Sequence, residues 1–368
     1  MNKIEGNIES IVKQYDFDGE LIEHKAFGSG HINDTIKLVY IKNGIEKSYV
    51  LQRINTEIFT KPEELMENIV KVTDFLRKKI KENGGDPERE TLKVIKTKDG
   101  KNYAKDHEGG YWRVYDFITD AISYEKVETA DDFYQSAIAF GNFQNLLADF
   151  PAEELNETIA DFHNTKKRYE TFKQSVENNL SGRASEVQDE INFILERKDL
   201  ADYFTDLQDE GKLPIRVTHN DTKLNNVMID KDSKKGICVV DLDTVMPGLA
   251  MNDFGDSIRF GASSALEDEK DLDKVYLDLE LYEVFTKGFI EALDGRLTDM
   301  EIDLLPHGAK VMTYECGLRF LADHIDGDKY FKIAYPGHNL DRARTQIKLV
   351  ADMEAKWDQM HEILNKYR

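Results

Sequence analysis

Between residues 21 and 117 the chain is mostly runs of β-branched and aromatic residues set between turns, the pattern of strands. The pattern predicts strands over 21–27, 34–41, 48–54, 91–96 and 111–117, with Asn43-Gly44 as a tight hairpin turn between the second and third. One helical stretch interrupts them. Pro62 opens it, Leu65, Ile69, Val72 and Leu76 follow at helical spacing, and Gly84-Gly85 ends it. From Ala130 onward the period becomes helical, with Phe133, Ala137, Phe140, Phe143 and Leu147 on one face. Further helices are predicted over 166–176, 185–207 and 279–293. Thr298-Asp299-Met300-Glu301 reads as a capping box, Pro306 should kink or divide the helix that follows, and 340–367 closes the chain. Three short strands (215–219, 226–229 and 236–241) form an island among these helices, and a hinge is expected near 115–121. There is no internal repeat.

The 368 residues, 40% hydrophobic and 33% charged, suffice for a substantial core and about two lobes. No apolar run is long enough to span a bilayer. The first residues, Met1-Asn2-Lys3-Ile4-Glu5-Gly6, lack the charged-then-apolar pattern of a secretory signal. Cys238 and Cys316 lie far apart among apolar neighbours, as two buried free thiols would. A cytoplasmic protein is expected. The net charge of −22 argues against nucleic acid or an anionic membrane as partner, because the longest basic clusters are Arg77-Lys78-Lys79 and Lys166-Lys167-Arg168. An acidic chain that binds an anion must gather positive potential locally.

The chemistry concentrates between His219 and Asp243. His219-Asn220-Asp221-Thr222-Lys223-Leu224-Asn225-Asn226 has the form His-x-Asp-x-x-x-x-Asn, and Cys238-Val239-Val240-Asp241-Leu242-Asp243 is an apolar strand ending in carboxylates. Phosphoryl transfer from a magnesium nucleotide needs these parts: a carboxylate to receive or orient a hydroxyl, and an amide oxygen plus a second carboxylate to hold the metal. Asp221 follows a strand at a loop mouth and is the candidate base. Asn226 offers a hard amide oxygen for Mg²⁺, and Asp241 a rigidly held carboxylate. Strand alternation puts Asp243 on the same face as Asp241, as a further metal contact. His219 reads as structural, its ring bonding the backbone around Asp241. Any one of these acids could be a turn or cap residue; the ordered set points to chemistry.

Asp253-Phe254-Gly255 spells a protein-kinase metal motif but follows Pro247-Gly248-Leu249-Ala250-Met251 and not an apolar strand. Asp253 and Asp256 are therefore expected to start and brace the helix containing Ile258 and Phe260. At the nucleotide end, Phe27-Gly28-Ser29-Gly30-His31-Ile32-Asn33-Asp34-Thr35 joins two predicted strands. Glycines there let backbone amides approach phosphates, which makes Gly28, Ser29, Gly30 and Asn33 candidate ATP contacts. No Gly-x-x-x-x-Gly-Lys-Ser/Thr sequence exists, against a P-loop enzyme. Arg53 stands where kinase-like folds place a phosphate-binding Lys, with Glu67 or Glu64 on the following helix as its partner; a surface strand Arg is the plainer reading. Trp112-Arg113-Val114-Tyr115-Asp116-Phe117-Ile118 is the expected hinge strand, with Tyr115, Phe117 and Ile118 against the adenine. The whole predicts an α+β, bilobal protein-kinase-like fold: a small antiparallel-sheet lobe with one helix (1–118) that binds nucleotide, and a mostly helical lobe (119–368) that carries the catalytic loop, metal site and acceptor site.

His219 to Asn226 with Asp241 resembles the motif of the aminoglycoside phosphotransferase and choline kinase superfamily. The longer string Val239-Val240-Asp241-Leu242-Asp243-Thr244-Val245-Met246-Pro247-Gly248-Leu249-Ala250, continuing Asp253-Phe254-Gly255-Asp256-Ser257-Ile258-Arg259-Phe260-Gly261-Ala262, is similar to the N-acetylhexosamine 1-kinases. So are residues 28–35, 50–56 and 161–168, and the resemblance covers nearly the whole chain. It implies ATP-dependent, Mg²⁺-dependent phosphorylation of the anomeric hydroxyl of N-acetylglucosamine or N-acetylgalactosamine. By that resemblance Asp221 is the base, and Asn226 and Asp241 hold Mg²⁺. The sugar is met by His31, Asp221 and the stretches 317–323 and 328–331, with Arg319 and Tyr330 foremost. Read without the resemblance, Arg319 is equally a helix-surface cation, Tyr330 a core aromatic and His31 a loop residue. The rival readings are an aminoglycoside kinase, a kinase of another small alcohol such as choline or homoserine, and a non-catalytic nucleotide-binding protein.

Overall fold

The computed structural model describes residues 3–28 and 32–368. A short helix α1 (Lys3–Val12), absent from the sequence expectation, leads into a five-stranded antiparallel sheet. Its strands are β1 (Glu20–Ala26), β2 (Asp34–Lys42), β3 (Ile45–Arg53), β4 (Ala104–Lys105) and β5 (Tyr111–Asp116), in the order β1-β2-β3-β5-β4. Asn43 and Gly44 both take positive φ (52° and 79°), as the tight turn between β2 and β3 demands. The expected strand over 91–96 does not form. β4 pairs with β5 only at Tyr111 and Trp112; further along the same edge, Ile95 donates to Val114 O (2.8 Å) and Asp116 to Lys93 O (3.1 Å). Two short segments share one edge, and neither completes it.

Both faces of the sheet are covered. One face packs Ile36, Leu38, Tyr40, Tyr49, Leu51, Trp112 and Val114 against Ile8, Ile11 and Tyr15. The other turns Val50, Ile54 and Tyr115 toward the main core and the interlobe cleft. Helix α2 (Pro62–Glu82) follows β3, with Pro62 at its first turn and Leu65, Ile69, Val72 and Leu76 buried. Asn68, fully buried on α2, donates to Asn156 O (2.8 Å) and Val245 O (3.1 Å). It pins the helix to loops of the other lobe.

After the two-residue strand β6 (Ala121–Ile122) the chain is mostly helical. Helix α3 (Ala130–Leu146) starts from a Thr129/Asp132 capping box and buries Phe133, Ala137, Phe140 and Phe143. The stretch expected as one helix over 185–207 is broken. After α4 (Thr165–Asn178) come α5 (Gln188–Leu195) and α6 (Lys198–Asp209), with Arg197 between them turned to Glu354 (2.9 Å). The island strands are β7 (Arg216–Thr218), β8 (Val227–Asp230), β9 (Gly236–Val239) and β10 (Met246–Gly248). β10 pairs with β7, and β6, β8 and β9 form a second small sheet. Then follow α7 (Ala250–Gly261), α8 (Leu279–Leu293), α9 (Asp299–Asp303), α10 (Leu305–Asp326), α11 (His338–Ala355) and α12 (Trp357–Asn365). The Thr298/Glu301 capping box forms, and Pro306 marks the break between α9 and α10. A Cβ at Gly255 would lie 2.2 Å from Gly308 O, so glycine alone lets α7 dock on α10 at backbone distance. No helix among the described residues is long and apolar enough to cross a membrane.

Candidate active site

The loop after β7 is held by side chains of α7. Asp253 accepts from the N–H groups of His219 (2.9 Å) and Asn220 (2.8 Å) and from Gln144 (2.8 Å), and its own carbonyl accepts from the Thr222 hydroxyl (2.5 Å). Asp256 accepts from Thr222 N (3.1 Å) and from Arg259 (2.8 and 3.0 Å). Asp253 stands in the first turn of α7 and Asp256 braces it through Arg259, as expected, but neither caps it. The N-cap, Leu249, makes no side-chain bond, and the two acids also clamp the loop. Burial pushes the Asp253 carboxyl up, while His219 and the N–H donors pull against it. Asp253→Ala would strand two buried N–H groups at about 1–3 kcal/mol each. We expect a lower melting temperature and a kcat reduced with it, and a smaller loss in Asp253→Asn; circular dichroism melts check the order.

His219 links the two halves of the motif. Its Nδ1 faces Asp221 N–H (3.3 Å) and so accepts; its Nε2 therefore carries the proton and donates to Val240 O (2.9 Å). The ring lies edge-on to Phe140 and Phe143. Held in this way, the ring keeps Asp221 beside the turn that presents Asp241.

Asp221 is partly exposed. Its Oδ1 meets the Lys223 ammonium at 2.6 Å and its Oδ2 meets Asn226 Nδ2 at 3.2 Å. Asp221 and Asp256 raise the Lys223 pKa against burial, so Lys223 stays charged. Asn226 also donates to Asp221 O (2.8 Å), which leaves its amide oxygen uncommitted among the described residues. Asp241 does not end a strand: β9 stops at Val239, and Asp241 takes a left-handed conformation (φ 58°) ahead of a 3₁₀ turn over 242–244. Its carboxylate has no hydrogen-bond partner among the described residues. The residue is exposed to solvent, although protein packs around its carboxylate on other sides. That enclosure, with Asp243 and then Asp221 nearby, lifts its pKa to about 6 against the pull of Arg113 and His219.

These residues fit Mg²⁺. The donors are hard oxygens, and the crowding of carboxylates is what a divalent cation relieves. Among the described residues no group of three or more His, Cys, Asp or Glu forms a complete cage. That suits a cation that keeps waters and takes phosphate oxygens.

Asp243 departs from expectation. It is buried in the 3₁₀ turn, where strand alternation does not apply. One oxygen pairs with Arg113 and the other accepts from Asn33 Nδ2 (2.6 Å). Each oxygen thus already serves one partner, Arg113 or Asn33. Asn33, expected at the phosphates, spends its amide on Asp243 and accepts from Asn55 N (3.0 Å) with its oxygen.

Arg53 is a second correction. It alternates with Tyr49 and Leu51 and so shares the face packed on α1, away from the cleft. It reaches Asp34 at 4.0 Å and lies beside Asp106. Glu67 pairs with Lys71 (2.8 Å) and Glu64 with Lys61 (3.0 Å), so neither meets Arg53. The β3 residue facing the cleft is Gln52, and the cation beside it is Arg113 on β5.

At the other end of the cleft, Phe117 lies edge-on to Phe27 (5.4 Å between centroids) under the Lys37 ammonium (4.3 Å). Gly28, in the same strand-to-loop turn as Phe27, has φ 81°. Ile118 is buried, and its N–H has no backbone partner among the described residues. Tyr115 presents its ring to the cleft, with its hydroxyl buried and unpaired. Ser29, Gly30 and His31 lie outside the described residues.

Arg319, on α10, stands over the rings of Phe162 (5.9 Å) and Phe331 (5.5 Å). Tyr330 is 69% exposed and touches Phe331. Asp323 accepts from the N–H groups of Lys329, Tyr330 and Phe331 (2.8–2.9 Å) and so holds this loop. Sequence reasoning missed His163, whose ring bridges Glu315 (2.9 Å) and Asn220 O (3.3 Å). Both ring nitrogens face acceptors, and although burial lowers its pKa, Glu315 raises it further, which favours the charged ring. Arg168 was also missed: its Nε is buried without a partner and Arg319 is its charged neighbour. Both lie in the 161–168 string, but nothing local in it assigns them a role, because their partners come from distant helices.

An acid at a loop mouth, an amide and a second acid behind it, all beneath a five-stranded antiparallel sheet, make up a protein-kinase-like phosphotransferase fold. Residues 23–283 match the phosphotransferase enzyme family (APH), and the chain belongs to that family. Solved structures agree on the fold. An aminoglycoside phosphotransferase from Alicyclobacillus acidocaldarius aligns at TM-score 0.62 and 13% identity over 97% of this chain and 96% of its own. A choline kinase from Cryptosporidium parvum aligns at 0.62 and 14% over 99% of each. A spectinomycin phosphotransferase, solved with ADP and spectinomycin, aligns at 0.59 and 12% over 96% and 98%.

Proposed function

We propose that the protein is an ATP-dependent kinase that phosphorylates the anomeric hydroxyl of an N-acetylhexosamine, N-acetylglucosamine or N-acetylgalactosamine, to the sugar 1-phosphate. The observation that carries phosphoryl transfer is the meeting of Asp221, Asn226 and Asp241 around one cleft, with His219 tying the loop of the first to the turn of the third. In this reading residues 1–118 bind the nucleotide and 119–368 carry the catalytic loop and sugar site. Such an enzyme belongs in the cytoplasm, where ATP is supplied.

Asp221 accepts a hydrogen bond from the anomeric hydroxyl and takes its proton as the sugar oxygen bonds to the γ-phosphorus and ADP departs. Lys223 pairs with Asp221 and orients it before that transfer. Mg²⁺ held by Asn226 and Asp241 would neutralise charge on the triphosphate. Sugar contacts fall to Arg319, Tyr330 and His31.

The motif strings shared with N-acetylhexosamine kinases support a sugar acceptor, and so do two arginines. Arg168 and Arg319 lie close enough to act on one another, with Glu315 near both, and neither makes an ion pair among the described residues. Such guanidinium groups can hydrogen-bond sugar hydroxyls and carbonyls. The intact Asp221, Asn226 and Asp241 speak against a non-catalytic binding protein. ADP release should be measured across N-acetylhexosamines, hexoses, kanamycin and choline. Release with an N-acetylhexosamine above all others is expected; turnover confined to kanamycin or choline would remove the sugar reading, and turnover of none would favour a binding protein.

A further inference from the structure

We propose that Arg113 supplies the buried positive charge of the nucleotide site from β5, in place of a cation on β3, by holding Asp243 and, through it, the exit of the glycine-containing loop. The inference rests on the cleft being a magnesium-nucleotide site and names a positioning residue within it.

The register of the sheet carries the argument. On β3 the residues that share the face of Gln52 are Glu46, Ser48 and Val50, and none of the four is a cation. Gln52 lies opposite Arg113, and Arg113 Nε donates to its side-chain oxygen (3.0 Å). The cation is therefore displaced by one strand, at the same level of the sheet. A second cleft-facing cation, Lys37, stands over Phe117 at the far end of the cleft and does not serve this position.

Arg113 is 1% exposed, and its side chain spans from the sheet to the turn after Asp241. A guanidinium taken out of water costs several kcal/mol unless matched, and swapping such a pair for apolar residues is often neutral or stabilising. Stability alone is a weak reason to bury one here. The contacts give a better one. Asp243 bonds Arg113 with one oxygen and Asn33 with the other (2.6 Å), and Asn33 in turn accepts from Asn55 N (3.0 Å). Four parts of the nucleotide site thus share one centre: β5, the Asp241 turn, the loop between β1 and β2, and the segment after β3. Asp221, Asp241 and Asp243 bring three negative charges to a site that must accept a polyphosphate. Lys223 answers the first and Arg113 the third, while Asp241 is left for the cation. Without Arg113, Asp243 would be a buried carboxylate with no cation to balance it, held by Asn33 alone.

The test is calorimetric titration of Mg-ADP into the wild type, Arg113→Lys, Arg113→Met and Arg113→Met/Asp243→Asn, with separate KM values for Mg-ATP and acceptor. Arg113→Met should weaken Mg-ADP binding about tenfold or more, leave the acceptor KM within about threefold, and be partly rescued by Arg113→Lys. The double variant leaves no charge unpaired and should melt near the wild type, yet still bind Mg-ADP weakly. It decides the matter if Arg113→Met does not fold. Wild-type Mg-ADP affinity in folded Arg113→Met, or in the double variant, would overturn the inference. Equal losses for nucleotide and acceptor would reduce Arg113 to a general structural role and overturn it too. Failure of the wild type itself to bind Mg-ADP would remove the nucleotide reading, and this inference with it.

Discussion

Asp221→Asn is expected to lose about 10²–10⁴ in kcat while Mg-ATP affinity stays close to that of the wild type. The substitution preserves shape, and a carboxamide oxygen can still accept from Asn226 Nδ2. What it removes is the charge that Lys223 balances and the basicity that receives the hydroxyl proton. Because Asp253, Asp256 and His219 hold the loop through other atoms, the backbone should stay in place. Single-turnover transfer with saturating Mg-ATP, alongside direct nucleotide binding, separates the two effects. A kcat within a few-fold of wild type would strip Asp221 of its role.

Asp241→Asn should do the opposite to binding and, unusually, to stability. Asn tolerates the left-handed conformation at this position, so the change removes charge without adding backbone strain. Mg²⁺-dependent nucleotide affinity should fall by about a hundredfold or more. In the wild type the same affinity should weaken as pH falls through about 6, where Asp241 takes a proton. The stability effect has a definite sign. A carboxyl whose folded pKa lies above its unfolded value favours folding when protonated, and that advantage is lost as pH rises through the folded pKa. At neutral pH the wild type therefore holds a destabilising charge. Asp241→Asn should melt higher than wild type at pH 7.5 and about equal to it near pH 4; added Mg²⁺ should raise the wild-type melting temperature at pH 7.5 and not at pH 4. A variant that melts lower at pH 7.5 and keeps its Mg-ADP affinity would contradict the assignment.

The parts of the site that could be read from sequence are those whose partners are local. Asp221, Asn226 and Asp241 fall in one short window because a loop, a hairpin and a turn deliver them together. The face of α3 was legible because one helix face meets one core, and the break at Pro306 because a prolyl ring ends a helix. Arg53 misled because both faces of the sheet are covered: α1 packs on one and the cleft lies on the other, so alternation alone does not say which is which. Only the register that sets Gln52 beside Arg113 resolves it. Asp243 misled because a left-handed residue at 241 ends the strand pattern just where it was being extrapolated. The clamping role of Asp253 was missed for a third reason: the groups it serves lie 33 and 34 residues earlier in the chain. His163 and Glu315 are further apart still and carry no signature short of the fold itself.

The central claim is that Asn226 and Asp241 hold a divalent cation with the nucleotide while Asp221 serves the acceptor. Water-proton relaxation with Mn²⁺ in place of Mg²⁺, titrated with ADP, reads the protein–cation–nucleotide complex without any turnover. Enhancement should appear in the wild type, persist in Asp221→Asn and vanish in Asp241→Asn. Undiminished enhancement in Asp241→Asn, or its loss in Asp221→Asn alone, would contradict the claim.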